Sequence, residues 1–386
     1  MSAISRFIGK FSLALASAAM VSPVLAAEPI QVGALFPLSG GSGPQGQDVI
    51  KAVKAMASMI NSAGGVMGRP LEILARDDES TPAVGVSRAS ELVGEKVAVV
   101  VEGYSSTVTL ATQPVFSRAN ILDITANAKA DTILSSEANP LAIRLNSSNA
   151  QDGAVIAAYL AKDLKAQRIA FLTQNDTYGA GAQASIEDGL KKLGHRYENV
   201  GTQKFPFNQV DFRIALTTVA SAKPDALVLI NANSGAGLPA LIQQARRARL
   251  SATLVTPAGI YSPSVAKVAG KAADGVVGAE IYIPDVEPFA SNPANREFVA
   301  RLQQEAGATP DKFMAVAALS LQVWAMAANE LKTLEREALA KRIRGGSFKN
   351  TIFGEVSFEP NGQMKTTHYL FASKDGKLAV TNGGAK

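Results

Sequence analysis

Ile60-Asn61-Ser62-Ala63-Gly64-Gly65-Val66-Met67-Gly68-Arg69-Pro70-Leu71-Glu72-Ile73, closed by Asp77-Asp78, is the stretch that decides the fold of this 386-residue chain. The segment before it carries Val49, Ile50, Val53, Met56, Ala57 and Ile60 at spacings of three and four, which predicts a helix with one apolar face. Gly64-Gly65 then supply the positive φ values that end a helix. Gly68 and Pro70 mark a second tight turn. Leu71-Glu72-Ile73-Leu74-Ala75 alternates like a strand. With a first strand at 30–36, the order is strand, helix, strand. That is a βαβ unit, and it predicts a parallel sheet.

The same alternation continues downstream. Strands are expected at 97–101, 121–125, 141–145, 169–173, 200–205, 226–230, 253–256 and 276–283, with helices at 83–94, 151–164, 210–220 and 238–249 among the connections. Val97-Ala98-Val99-Val100-Val101 reads as a strand buried on both faces. The implied fold class is α/β, with two doubly wound parallel-sheet lobes, and the length fits two domains. After Pro284 come helices at 295–305 and 310–334. The second is apolar nearly all round and should be buried. A helix at 337–344, strands at 354–358 and 368–373, and the turn Pro360-Asn361-Gly362 complete the pattern.

Residues 1–26 read as a signal peptide. Arg6 and Lys10 form a basic start, an apolar run follows, and Val24-Leu25-Ala26 fits a small-residue cleavage site. The mature chain is expected to be periplasmic, and no later segment is expected to span a membrane. Zero Cys rules out disulfides, thiol chemistry and a lipid anchor on Cys. The formal net charge is +5, of which Arg6 and Lys10 contribute two, leaving about +3 on the mature chain. So weak a charge gives no case for nucleic acid, and Arg246-Arg247-Ala248-Arg249 simply favours a helix C-terminus.

Gly41-x-Gly43-x-x-Gly46 has the form of a dinucleotide fingerprint. Four residues, Pro37 to Gly40, separate it from the strand, however, and no acid stands at the distance a ribose-binding carboxylate requires. It reads instead as a crevice loop ending on a helix N-terminus, where Gln45 can reach a ligand. Tyr104-Ser105-Ser106-Thr107 lies at the carboxyl end of a buried strand and offers hydroxyls and a helix N-terminus to a carboxylate. Ser105 or Ser106 also suits a helix N-cap. Catalytic motifs and metal-ligand spacings are absent. His195 reads as an exposed turn residue, and His368 opens a strand. Asp77 and Asp78, adjacent on a strand, point to opposite faces. The expectation is a binding protein, neither an enzyme nor the holder of a cofactor or metal.

The 60–78 stretch resembles the signature of the branched-chain amino-acid-binding family of periplasmic ABC-transporter proteins. In that family a comparable Asn- and Gly-rich turn joins the first helix to a strand ending in paired Asp. The resemblance extends over nearly all of the chain after residue 27. It implies a type I periplasmic-binding fold with a three-stranded hinge, the chain crossing near Asn146, Pro284 and Thr366. The lobes would then be 27–146 with 285–366, and 147–284 with 367–386. It also implies hinge closure on a small ligand and delivery to a permease and ATPase, and nothing in the sequence demands more than a monomer.

Carried over one position at a time, the resemblance places the ligand carboxylate at Tyr104 to Thr107. The next loop falls on Asn127, Ala128 and Lys129, with Lys129 where the family has a Thr hydroxyl. Tyr178 matches the aromatic of the second lobe that closes over the ligand. A further aromatic is missing, and Asn231, Asn233 and Ser234 stand there. The Glu that pairs the α-ammonium in amino-acid binders is replaced by Ala258. Glu280 and Asp285 are the nearest acids by position. An unpaired buried ammonium is costly. Either another acid compensates, or the ligand lacks an α-ammonium. A branched-chain amino acid and an aromatic, keto or hydroxy acid therefore both stay open. A ligand sensor, or an amide- or aromatic-acid-binding regulator, on the same fold is the alternative reading.

Overall fold

A computed structural model describes residues 27–135, 141–375 and 377–385. β1 (Ile30–Phe36) leads into α1 (Gly43–Ser62) and β2 (Leu71–Asp77). The joint between them is held by side chains that the signature supplies. Asn61 accepts from the Leu71 amide at 2.6 Å and donates to the Leu71 carbonyl at 3.0 Å, which clamps the helix end to the strand start. Gly65, at φ +76, turns the chain where a Cβ would stand 2.1 Å from the Arg69 carbonyl oxygen.

The first sheet continues through α2 (Pro82–Gly94), β3 (Val99–Glu102), α3 (Ser106–Arg118), β4 (Asp123–Thr125), α4 (Thr132–Ser135) and β5 (Ala142–Arg144). Its order is β2-β1-β3-β4-β5, all parallel. The order reverses direction between β1 and β3, so a crevice opens outside their carboxyl ends.

α5 (Asn149–Ala158) starts on a capping box between Ser148 and Gln151 and ends in one π-type turn at Tyr159–Asp163. Next come β6 (Arg168–Gln174), α6 (Thr177–Lys192), β7 (Glu198–Phe205), α7 (Arg213–Ser221), β8 (Ala226–Ile230), α8 (Gly237–Arg247), β9 (Thr253–Val255), α9 (Pro263–Ala269) and β10 (Val277–Glu280). The chain then leaves for α10 (Pro293–Ala306), α11 (Lys312–Leu331), α12 (Arg336–Ile343) and a hairpin of β11 (Ser347–Thr351) and β12 (Gly354–Ser357). α10 and α11 pack along α1, and α12 along α11.

β13 (His368–Lys374) and β14 (Lys377–Ala385) return to the second sheet, whose order is β14-β13-β10-β9-β8-β6-β7. Its second switch point lies between β6 and β8. The chain passes between the sheets after β5, after β10 and before β13.

Two expectations need correction. The second sheet is mixed, because β13 and β14 add as an antiparallel edge. β14 escaped the strand pattern because Thr381-Asn382-Gly383-Gly384 is poor strand sequence. Further, one later helix is long and apolar enough by composition to cross a membrane. α11 spans 20 residues at mean hydropathy 1.2, and 72% of its apolar window is buried inside the protein. Its Phe313, Val316, Leu319 and Trp324 are core residues.

Candidate functional site

The two switch points face each other across a cleft of ≈ 490 Å³. One wall comes from Gly40–Ser42 after β1 and Tyr104–Thr107 after β3. The other comes from Gln174, Asp176, Tyr178 and Ala232, at the ends of β6 and β8. The lobes stand closed. Thr107 Oγ1 donates to Thr177 Oγ1 at 3.0 Å across the mouth. The Tyr104 and Phe313 rings stack 5.5 Å apart and make an apolar side wall, with Phe207 and Ile260 beside them.

Each wall residue is placed by local structure. Ser105 holds the N-cap position of α3 in extended geometry but makes no side-chain capping bond. Ser106 Oγ accepts from the Lys129 and Ala130 amides, both at 3.1 Å, so it holds the neighbouring loop. Asp176 caps α6 through the Gly179 amide at 2.8 Å and sets Tyr178 in the first turn. The Tyr178 hydroxyl is buried and has no hydrogen-bond partner in the protein. Asn127 donates to the Phe313 carbonyl at 3.1 Å.

The floor of the cleft is charged. Lys129 is only 3% exposed. Its Nζ donates to Ser147 Oγ at 3.0 Å, to the Ala258 carbonyl at 2.9 Å and to Asp152 Oδ2. Asp152 Oδ1 accepts from His368 Nε2 at 2.9 Å. Burial alone would raise the Asp152 pKa, but Lys129 and the His368 hydrogen bond outweigh it and hold it down at about 2.

Lys312, at the start of α11, is equally buried and donates to Asn127 Oδ1 at 3.3 Å. Burial, then the Lys129 charge, pull its pKa down to about 7, against Glu280, Asp311 and Asp152. Glu280 is 3% exposed, and burial pushes it up to about 7 against the pull of Lys312 and Lys129. Gly259 makes room for both lysines. A Cβ there would stand 2.7 Å from Lys129 Nζ and 3.0 Å from Lys312 Cε.

Seven expected residues line the cleft: Tyr104, Ser105, Ser106, Thr107, Asn127, Lys129 and Tyr178. Six do not. Gln45 lies against the space beside Gly235 of the facing lobe. The Ala128 side chain packs with Ala130 and Ile133. Asn233 is engaged by the Ala236 amide of its own loop and donates to the Phe207 carbonyl of the loop after β7. Ser234 is buried beside Tyr104. Ala258 offers only its carbonyl, and that goes to Lys129. Glu280 sits outside the lining, its Oε1 taken by the Ile281 amide at 2.9 Å.

Lys129 is buried and does not reach solvent. Asp152, Lys312 and the role of His368 were missed. Only Lys312 left a trace in the sequence, as a cation at the head of an apolar helix that should be buried. Asp77 does structural work, its Oδ1 accepting from the amides of Leu38 and Glu79. Gly46 belongs to helix–strand packing, since a Cβ there would lie 1.7 Å from the Pro37 carbonyl oxygen. Among the described residues no group of three or more His, Asp or Glu side chains is arranged to hold a metal.

A closed cleft between two sheet switch points, walled by helix N-termini and aromatic rings, defines a two-lobed solute-binding protein. The periplasmic binding protein family matches residues 29–377, and the chain belongs to that family. A Leu/Ile/Val-binding protein homolog of Brucella suis is 26% identical over 345 residues, covering 88% of this chain and 89% of the relative. The substrate-binding protein LivJ of Streptococcus pneumoniae, solved with isoleucine, superposes with a TM-score of 0.80 at 22% identity, over 91% of this chain and 97% of that one. A solute-binding protein of R. palustris, solved with benzoate, gives 0.82 at 23% identity, over 92% and 95%.

Proposed function

We propose that this chain is the extracytoplasmic solute-binding component of an ABC importer, and that it captures a small carboxylate with an apolar body between its lobes. Residues 1–26, which lie outside the described residues, act as the export signal. The mature protein works as a monomer of two discontinuous lobes, 27–146 with 285–366 and 147–284 with 367–386. The solute enters an open form, and hinge closure buries it and creates the surface that a permease with its ATPase recognises. The role is capture, with no catalysis and no cofactor.

The observation that carries this reading is the combination of a cationic floor with an apolar wall. Lys129 lines the cleft with the α3 N-terminus, Tyr104 and Phe313, and Lys312 is buried next to Lys129 against Gly259. A carboxylate in the cleft meets the backbone amides of α3 and the partnerless Tyr178 hydroxyl, with the Lys129 charge beside it. The relatives fall on both sides of the ligand question, with Leu/Ile/Val-binding proteins on one hand and a benzoate complex on the other.

A thermal-shift screen of the mature chain tests the proposal. The panel holds branched-chain amino acids, their keto and hydroxy analogues, aromatic acids, amides and NAD. A carboxylate at ~100 times its dissociation constant should add about 2.7 kcal/mol, a shift of several degrees. A shift with amides or NAD and with no acid overturns it.

A further inference from the structure

We infer that the cleft selects an acid that carries no amine, because Lys129 already occupies the seat a ligand ammonium needs. The inference rests on the reading of the cleft as a carboxylate site. A bound ammonium requires acceptors, best of all a free carboxylate. At this floor the carboxylate acceptors are spoken for, and the partnerless Tyr178 hydroxyl carries no charge to pair an ammonium. Lys129 Nζ takes the Asp152 carboxylate, the Ala258 carbonyl and Ser147 Oγ, and His368 takes the other Asp152 oxygen.

The remaining acids offer no substitute. Glu280 does not line the cleft and has one oxygen on the Ile281 amide, and Asp311, also outside the lining, caps α11 through the Met314 amide. Asp176 caps α6 and also binds the Gln174 amide, and Glu79 stands exposed at the rim. An α-amino acid would thus bring a further ammonium beside Lys129 with no free carboxylate at the cleft floor. Its amine-free analogue brings only the carboxylate, which the Lys129 charge and the α3 amides attract. The stacked Tyr104 and Phe313 suit a flat or branched apolar body on that acid. Lys129 and its partner Asp152 are therefore the residues that set specificity.

Isothermal titration of the mature protein with matched pairs tests this. The pairs are leucine with 4-methyl-2-oxopentanoate, and phenylalanine with 3-phenylpropanoate, with benzoate added as a ring without a chain. The expected result is that the amine-free member binds at least about 100-fold tighter, two factors of ten at about 1.4 kcal/mol each. An amino acid that binds as tightly as its partner overturns the inference and leaves the carboxylate reading intact. Heat from neither member of any pair, and none with benzoate, overturns both.

Lys129→Met frees Asp152 and should narrow or invert the preference while weakening the acid. An unchanged ratio shows that Lys129 is not the determinant and overturns its assignment. Should that variant fail to fold, Lys129→Arg keeps the charge and must retain the preference for amine-free acids. A gain of amino-acid binding by that variant contradicts the assignment equally.

Discussion

Lys312 and Glu280 carry the residue-scale argument. Both are buried next to Lys129 of the cleft, and both are brought to about 7, from opposite directions. Lys129, Asp152, Asp311 and His368 complete the charged surroundings, and Asp152 stays ionised. An anion bound beside them favours the charged lysine and the protonated Glu280, and both changes take up a proton. Binding of a carboxylate should therefore weaken as pH rises through 7, by up to about tenfold per pH unit if a full proton is taken up. Titrations in two buffers of different ionisation enthalpy would count that proton directly. A pH-independent affinity with no buffer dependence would contradict the assignment. The sequence made Lys129 visible as a departure from the family pattern. It hid Asp152 and His368, which meet Lys129 only because α5 and β13 converge from distant parts of the chain.

At the scale of elements, the strand ends of the first sheet bury a second set of acids. Glu102 closes β3 and accepts from Thr125 Oγ1 at 2.8 Å and Thr109 Oγ1 at 3.1 Å, with Asp123 of β4 beside it. Burial pushes Glu102 well up, and it pushes Asp123 up to about 7. These folded-state values lie above those of the unfolded chain, so the folded protein holds protons that the unfolded chain releases. That stability is full below about pH 4 and is lost as pH rises through about 7. Glu102→Gln removes the charge, keeps an acceptor for one hydroxyl and offers a donor to the other, which can turn to accept. It should raise Tm at pH 8 by about 2 °C or more and leave it nearly unchanged at pH 4, as followed by calorimetry. The elements themselves were largely legible. The joint at 60–73 announced α1, its glycine turn and β2 because apolar spacing and positive-φ residues coincide there. β14 and the mixed edge of the second sheet were not legible, because that strand owes its existence to pairing with β13 rather than to its own residues.

Over the whole molecule, the sheet orders decide where the ligand goes. Both switch points open on one cleft, and three passages of the chain join the lobes, so the natural motion is a hinge. The sequence showed two lobes by alternation alone, whereas the return of α10–α12 to the first lobe came from family resemblance. Closure here is held by Thr107 with Thr177, Ser185 with Asp131, Tyr104 with the Ala232 carbonyl, and Lys129 with Asp152 and the Ala258 carbonyl. Opening breaks these contacts, and a bound acid should add to them and shift the population toward the closed form. Small-angle X-ray scattering of the mature protein, with and without a saturating acid from the matched pairs, tests this most directly. A fall in radius of gyration on adding the acid, absent with its amine-bearing partner, is the predicted result. A radius unchanged while calorimetry shows the acid bound would contradict capture by closure of the cleft.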